Sequence, residues 1–394
     1  MQGETAMDAA VPESPAAGFL PVYRPLLPPA EALLPWLRQI DAARFYTNRG
    51  PLVWQLEQRL AALLGQEGHA VRTAASGTLA LELAILAHAG RADPARPIAL
   101  MPGFTFAATA QAAERCGYRP VFVDVAAEDW MLVPAALARH PLRAQAGLVV
   151  AVAPYGMLPD TAALATLQAE AGVPVVVDAA AGFEPLLDAP GRLTPALPLA
   201  LSLHATKGFS TGEGGAVLWP CRAGQARVVQ IANFGFRNAR EAETVGLNGK
   251  LSEYHAAVGL AMLDGLAARR QTHAAVASAY NAQAALRRLP GRLHLPPRIS
   301  PAYALFEAVD AATCTRAEAM LHDRGIETRR WYGRGVHRQP YFGGQNPAGP
   351  GAAALPVTAD LCDRLLGLPM APDLDIAEIA RVLDTLAMLG TAAE

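Results

Sequence analysis

Between residues 70 and 219 the chain repeats one pattern, and that pattern fixes the class of fold. Short apolar runs at 70–74, 98–101, 120–125, 148–153, 174–177, 200–203 and 215–219 are separated by segments such as LALELAILAHA, TFAATAQAAERC and AALATLQAEA. Most of the runs are continuously apolar instead of alternating, as strands buried on both faces are. Several of the spacers read as helices. Strands alternating with helices predict an α/β fold, a mostly parallel central sheet flanked by helices. The run PLVWQLEQRLAALLG from Pro51 adds a helix that closes at its glycine. From about Leu251 a long helical stretch follows, then shorter, more charged elements from about Pro301. The expected organisation is a flexible tail at 1–18, a large α/β domain at 19–265 and a smaller C-terminal α+β domain at 266–394. The stretch FGGQNPAGPGAAALP at 342–356 reads as a Gly/Pro loop inside that second domain, because a helical segment follows it.

Several function classes fall away at this point. A formal net charge of −2 over 394 residues offers no general attraction to nucleic acid or to an anionic membrane. The N-terminus lacks a basic region followed by an apolar one, and no apolar stretch approaches the roughly 18 residues of a membrane span. Cys116, Cys221, Cys314 and Cys362 lie far apart without a CxxC pair, which argues against structural zinc and a disulfide framework. A cytoplasmic protein without a metal site is expected.

Of 33 basic residues only Lys207 and Lys250 are lysine. A lysine retained against such a background is a candidate for chemistry that arginine cannot do, because arginine stays protonated and forms no imine. Lys207 follows the polar turn Ser202-Leu203-His204-Ala205-Thr206 and precedes the glycine-rich GFSTGEGG. It reads either as an imine-forming amine or as an ordinary loop lysine. Asp178 ends the apolar run VPVVVD, where a carboxylate needs a partner. A protonated pyridine nitrogen would serve, and so would the next turn of backbone. Ser76-Gly77-Thr78 opens a helix, with Thr78 placed to cap it. Such a start offers N–H groups to an anion, although many helices begin this way without a ligand. Gly246-Leu247-Asn248-Gly249-Lys250 is a tight turn that also presents Asn248 and Lys250.

Taken together, these motifs resemble the DegT/StrS family of sugar aminotransferases, which are fold-type-I pyridoxal-phosphate (PLP) enzymes. The resemblance runs from about Val22 to Leu386. It is carried by TNRGP at 47–51, SGT with a following AL at 76, PGFTFAATAQAAERCGYRPVFVD from Pro102 and VPVVVDAAA up to and past Asp178. SLHATKGFSTGEGGAV around Lys207, GLNGKLSEYHAAVGLAML from Gly246, GIETRRWY and the late GLPM complete it. The resemblance implies that Lys207 carries the cofactor as a Schiff base and that Asp178 pairs with its ring nitrogen. Ser76, Gly77, Thr78 and Ser202 would hold the phosphate, and Phe106 would stack on the ring. Asn248 would reach the phosphate from a neighbouring subunit, so a homodimer with shared sites is implied. Thr47, Asn48, Lys250, Trp331 and His337 are candidates for the substrate, with packing in the smaller domain as the other reading of Trp331 and His337. The implied reaction moves an amino group from glutamate to a nucleotide-linked keto-deoxysugar. Two other readings stay open: a related PLP enzyme with a non-sugar substrate, and a non-catalytic binding protein. Where the family often has Gln or His three residues after the aspartate, this chain has Ala181. The contact that side chain makes near the cofactor's 3′-oxygen is absent or supplied elsewhere. Related dehydratases replace the lysine with histidine, and Lys207 is intact.

Overall fold

A computed structural model describes residues 18–343 and 355–391 of the chain. Residues 1–17 of the expected tail and most of the expected Gly/Pro loop lie outside the described residues. All seven apolar runs form strands: β1 Val71–Ala74, β2 Ile98–Pro102, β3 Arg119–Val123, β4 Ala146–Val152, β5 Val175–Asp178, β6 Leu199–Ser202 and β7 Gly215–Leu218. They make one sheet in the order β1-β7-β6-β5-β4-β2-β3. Every pair from β6 through β3 is parallel, whereas β7 runs antiparallel to both β6 and β1.

The continuous apolarity of the strands has the expected cause. Leu100, Val149, Ala151, Val175 and Val177 face one buried layer, while Met101, Leu148, Val150 and Val176 face another. Successive strand residues point to opposite faces, so a sheet covered on both sides leaves its central strands no polar residue except at their ends, whereas the edge strands β1 and β3 carry Arg72, Thr73 and Arg119. The helix Gly77–His88 lies in the second layer and is buried over Ala80 to Ala87, which explains why its sequence is apolar nearly all round.

A second sheet is antiparallel and smaller, in the order β10-β9-β8, from β8 Gly291–His294, β9 Ala304–Ala308 and β10 Leu365–Leu368. Tyr280 of the helix Leu266–Ala285, Leu321 of Ala311–Asp323 and Leu383 of Ile376–Thr391 share its apolar cluster. Leu20 joins that cluster and donates its N–H to the Gly325 carbonyl at 2.8 Å. No helix among the described residues is long and apolar enough to cross a membrane.

The TNRGP turn depends on a carboxylate far away in sequence. The helix Pro51–Leu63 has Gly50 at its N-cap position, with no capping side chain of its own. Glu253, 1% exposed, accepts instead from the N–H of Leu52 at 2.7 Å and of Val53 at 3.1 Å. Pro51 has no N–H to satisfy, and the Leu52 and Val53 donors of the first turn are thereby met by an anion at the positive dipole end. Glu253→Ala leaves those donors buried without a partner, at a cost of about 2 kcal/mol. The expected result is a melting temperature several degrees below wild type by calorimetry. An unchanged melting temperature would mean that water or another group takes over the cap.

Candidate active site

Because β1 opposes β7 and β7 opposes β6, β1 and the parallel strands all end at one edge of the sheet. That edge is where open α/β sheets bind ligands. Asp178 is the last residue of β5 and Ser202 the last of β6, on neighbouring strands. The turn after β1 brings Ser76 and Gly77 to the same place.

The helix N-terminus rests on the sheet edge through glycine. A Cβ at Gly77 would lie 2.6 Å from Ser202 Cβ, and one at Gly215 would collide with the Ser76 carbonyl oxygen. The expected cap is corrected by two residues: Ser76, not Thr78, caps this helix, and its Oγ accepts from the Leu79 N–H at 3.2 Å. Ser76 is the residue with extended backbone, whereas Thr78 is already helical and cannot bend back to that N–H. Thr78 therefore sits half-buried in the first turn. The donor set here is free first-turn N–H groups, the Thr78 and Ser202 hydroxyls and a glycine approach, which fits a phosphate. Gly77→Ala pushes a methyl group into the Ser202 backbone and should cost about 1–3 kcal/mol. Titrating the apoprotein with PLP is expected to show affinity at least tenfold weaker, and wild-type affinity would contradict this use of the glycine.

Asp178 is held for an acceptor role. Thr109 Oγ1 donates to Asp178 Oδ2 at 2.7 Å, and the Ala180 N–H donates to Oδ1 at 3.1 Å. Burial raises the carboxyl above the ordinary aspartate range, opposed by Thr109, the Ala180 N–H and the charge of Lys207. Each oxygen keeps a lone pair for a further donor. A cationic N–H would reverse the cost of burial, so the carboxylate fits a protonated pyridine nitrogen.

Lys207 is set by a closed turn, its N–H donating to the His204 carbonyl at 2.9 Å. Its Nζ donates to the Tyr303 hydroxyl at 2.9 Å. Tyr303 meets Trp331 and Tyr155 edge-on, each with centroids 5.3 Å apart, and Tyr155 stacks on Tyr332 at 4.8 Å. Trp331 is thus one ring removed from the lysine. Phe106, 62% exposed, precedes the helix Ala107–Arg115 whose Thr109 reaches Asp178. An exposed phenyl group in that position is available to cover a planar ring. The site therefore fits PLP at its phosphate end, its ring and its imine-forming amine. Beneath it, Glu184 is 6% exposed and so close to Gly208 that a Cβ there would collide with the carboxylate. Burial pushes the Glu184 carboxyl up to about 7, against the opposing charges of Arg270, Arg269 and Lys207.

The substrate candidates divide between places. Asn48 and Lys250 line a cleft of about 840 Å³ whose wall also carries Arg49, Arg72, Arg237 and Arg240. Lys250 Nζ lies 4.6 Å from the centroid of Phe234, and burial lowers its pKa. Neither Asp178 nor Lys207 lines this cleft. Gly249 ties it to the first site, its carbonyl accepting from the Ala75 N–H at 2.8 Å. Asn248 and Thr47 are exposed. His337, 9% exposed, is packed against Gly103 and Gly335, where a Cβ on either would lie within 3.0 Å of its ring.

Thr109, Tyr303, Glu184 and Glu253 went unnoticed in the sequence. Thr105 and Thr109, one helical turn apart with hydroxyls at 2.7 Å, offered a local signal. Tyr303 offered none, since 96 residues separate it from Lys207.

Residues 30–387 match the family model for the DegT/DnrJ/EryC1/StrS aminotransferase family. Protein Rv3402c of Mycobacterium tuberculosis is 35% identical over 390 residues, covering 94% of this chain and 91% of its own. The dTDP-4-amino-4,6-dideoxy-D-glucose transaminase of Escherichia coli is 25% identical, over 93% of this chain and 98% of its own. Among solved structures, DesI in the presence of its TDP-sugar product superimposes with a TM-score of 0.79 at 29% identity, covering 95% of this chain and 94% of DesI.

Proposed function

Because the chain belongs to the DegT/DnrJ/EryC1/StrS aminotransferase family and is a PLP-dependent aminotransferase, we propose that it transfers an amino group from glutamate to a nucleotide-linked keto-deoxysugar. The observation that carries the reading is the convergence of Asp178, Ser202 and Gly77 at one sheet edge, with Lys207 in the turn that leaves β6. In this reading Lys207 holds the cofactor and Asp178 keeps its ring nitrogen protonated. Bound PLP supplies an electron sink for the bond being broken. Lys207 then carries the proton between the substrate carbon and the cofactor, acting as general acid and base. Ser76, Gly77, Thr78 and Ser202 anchor the phosphate, and Phe106 covers one face of the ring.

The nucleotide part of the substrate is supported by the basic cleft. Arg49, Arg72, Arg237, Arg240 and Lys250 line it together with Asn48; Arg49 and Arg72 are paired with Glu57 and Arg237 with Glu243, while Arg240 and Lys250 have no carboxylate partner among the described residues. Guanidinium groups suit the phosphates of a sugar nucleotide. The named relatives point the same way, one a dTDP-aminosugar transaminase and one solved with a TDP-sugar product. We infer a homodimer as the working unit, with Asn248 and the cleft completing a neighbour's site. The exposure of Asn248 and the separation of the cleft from Lys207 support this arrangement. Trp331 faces the substrate side of Tyr303 in this reading. Four unpaired cysteines are in keeping with a cytoplasmic enzyme.

The test is a two-step half-reaction. Glutamate should convert the visible PLP absorption of the holoenzyme to the pyridoxamine form, and a dTDP- or UDP-linked 3- or 4-ketosugar should restore it. If glutamate acts but no ketosugar in the panel restores the absorption, the acceptor class is wrong. If glutamate leaves the spectrum unchanged, the donor is wrong.

A further inference from the structure

The residue that faces the Lys207 nitrogen is a phenol. Tyr303 stands just before β9, is 7% exposed, and is wedged edge-on between Tyr155 and Trp331, so its ring is fixed in direction. Its hydroxyl accepts from Lys207 Nζ at 2.9 Å, whereas the ring centroid lies 5.6 Å from that nitrogen. Contact is therefore through the oxygen and not through the ring face. The loop after Asp178 reads Ala179-Ala180-Ala181-Gly182 and carries no polar side chain. Ala181 belongs to the same buried cluster as Tyr155 and Tyr303. Ser300 Oγ is also buried in this corner, against Gly156, but without a hydrogen-bond partner of its own. The polar contact made to Lys207 on this side comes from Tyr303.

We propose that Tyr303 sets the proton affinity of the Lys207–PLP linkage by donating its hydroxyl hydrogen to the cofactor's 3′-oxygen. The inference rests on Lys207 being the cofactor-bearing residue. Once Lys207 is bonded to PLP, its nitrogen and the ring's 3′-oxygen are held within hydrogen-bond distance of one another by the ring itself. A hydroxyl already 2.9 Å from that nitrogen is therefore placed to serve the neighbouring oxygen as well. A phenol hydroxyl is a donor to that oxyanion. Its hydrogen bond competes with the protonated nitrogen for the oxygen and so eases loss of the proton. Tyr303 thereby supplies from the smaller sheet what the Ala-Ala-Ala loop cannot.

The experiment is a pH titration of the visible absorption of the substrate-free holoenzyme. Tyr303→Phe keeps the ring and its edge contacts and removes only the oxygen. The expected result is a midpoint raised by about one pH unit, a tenfold change in proton affinity, with an unchanged melting temperature for the apoprotein. Should that variant not fold, 3-fluorotyrosine placed at position 303, a more acidic and stronger donor, should lower the midpoint. A midpoint unmoved in the folded variants, or shifted in the opposite direction, overturns the role given to Tyr303. Absence of any visible band in wild-type protein loaded with PLP overturns the Lys207 premise instead, so the two failures are distinguishable.

Discussion

Replacing Lys207 by alanine is expected to lower transamination about 10⁴-fold or more while the protein remains folded. In the proposed function the change removes two roles at once, the covalent hold on the cofactor and the group that moves the proton, and groups that act as a unit carry losses of that order. The fold should tolerate it, because the turn is closed by the Lys207 N–H bond to the His204 carbonyl and not by the side chain. The side chain's own bond is to Tyr303, a hydroxyl at the edge of an aromatic cluster that keeps its packing without it. Loaded with PLP, the variant should still bind the phosphate through the Gly77 turn but lack the lysine-linked absorption. Single-turnover kinetics with glutamate check the rate, and a loss under tenfold would remove Lys207 from the chemistry. Lys207→Arg should fare no better, since a guanidinium remains protonated.

Asp178→Asn should be the next most damaging change, lowering the rate of the glutamate half-reaction by about 10²–10³-fold. The substitution conserves volume and leaves one oxygen to accept from Thr109, but its NH2 cannot accept from the Ala180 N–H, so one of the two bonds at the strand end is lost. What it loses, in the proposed function, is the negative charge that would hold the ring nitrogen protonated, and with it the electron sink. The visible band should persist, because Lys207 is untouched. Stopped-flow measurement of the half-reaction separates this outcome from simple cofactor loss. A rate within a factor of three of wild type would mean that the ring nitrogen has another partner. The two variants thus fail differently, one without the linkage and one with a linkage that reacts slowly.

Much of this was legible in the chain because burial on both faces leaves a strand no freedom in composition. The seven runs of the large sheet were readable for that reason, and so was Asp178, whose charge interrupts one of them. Lys207 stood out through scarcity. The smaller sheet was harder. β8, GRLH, is half exposed, and β10, LLGL, sits between two helices without a turn signal strong enough to isolate it. The Ser76 cap was missed by two positions because either hydroxyl in Ser-Gly-Thr can cap, and only backbone direction decides. Some of the contacts to these residues come from far along the chain. Tyr303 lies 96 residues beyond Lys207, and Glu253 lies 201 beyond Leu52, which it caps. Pairings of that range depend on packing and leave no local spacing to read. His337 illustrates the converse: its residue type suggests chemistry, yet its ring is enclosed by Gly103 and Gly335.

The most direct test uses the fact that the chain has only two lysines. Borohydride reduction of the PLP-loaded protein fixes the cofactor to whichever amine holds it, and peptide mapping by mass spectrometry then reads the position. The pyridoxyl adduct is predicted on Lys207, with Lys250 unmodified. An adduct confined to Lys250 or to the N-terminal amine would contradict the assignment of the site at the ends of β5 and β6.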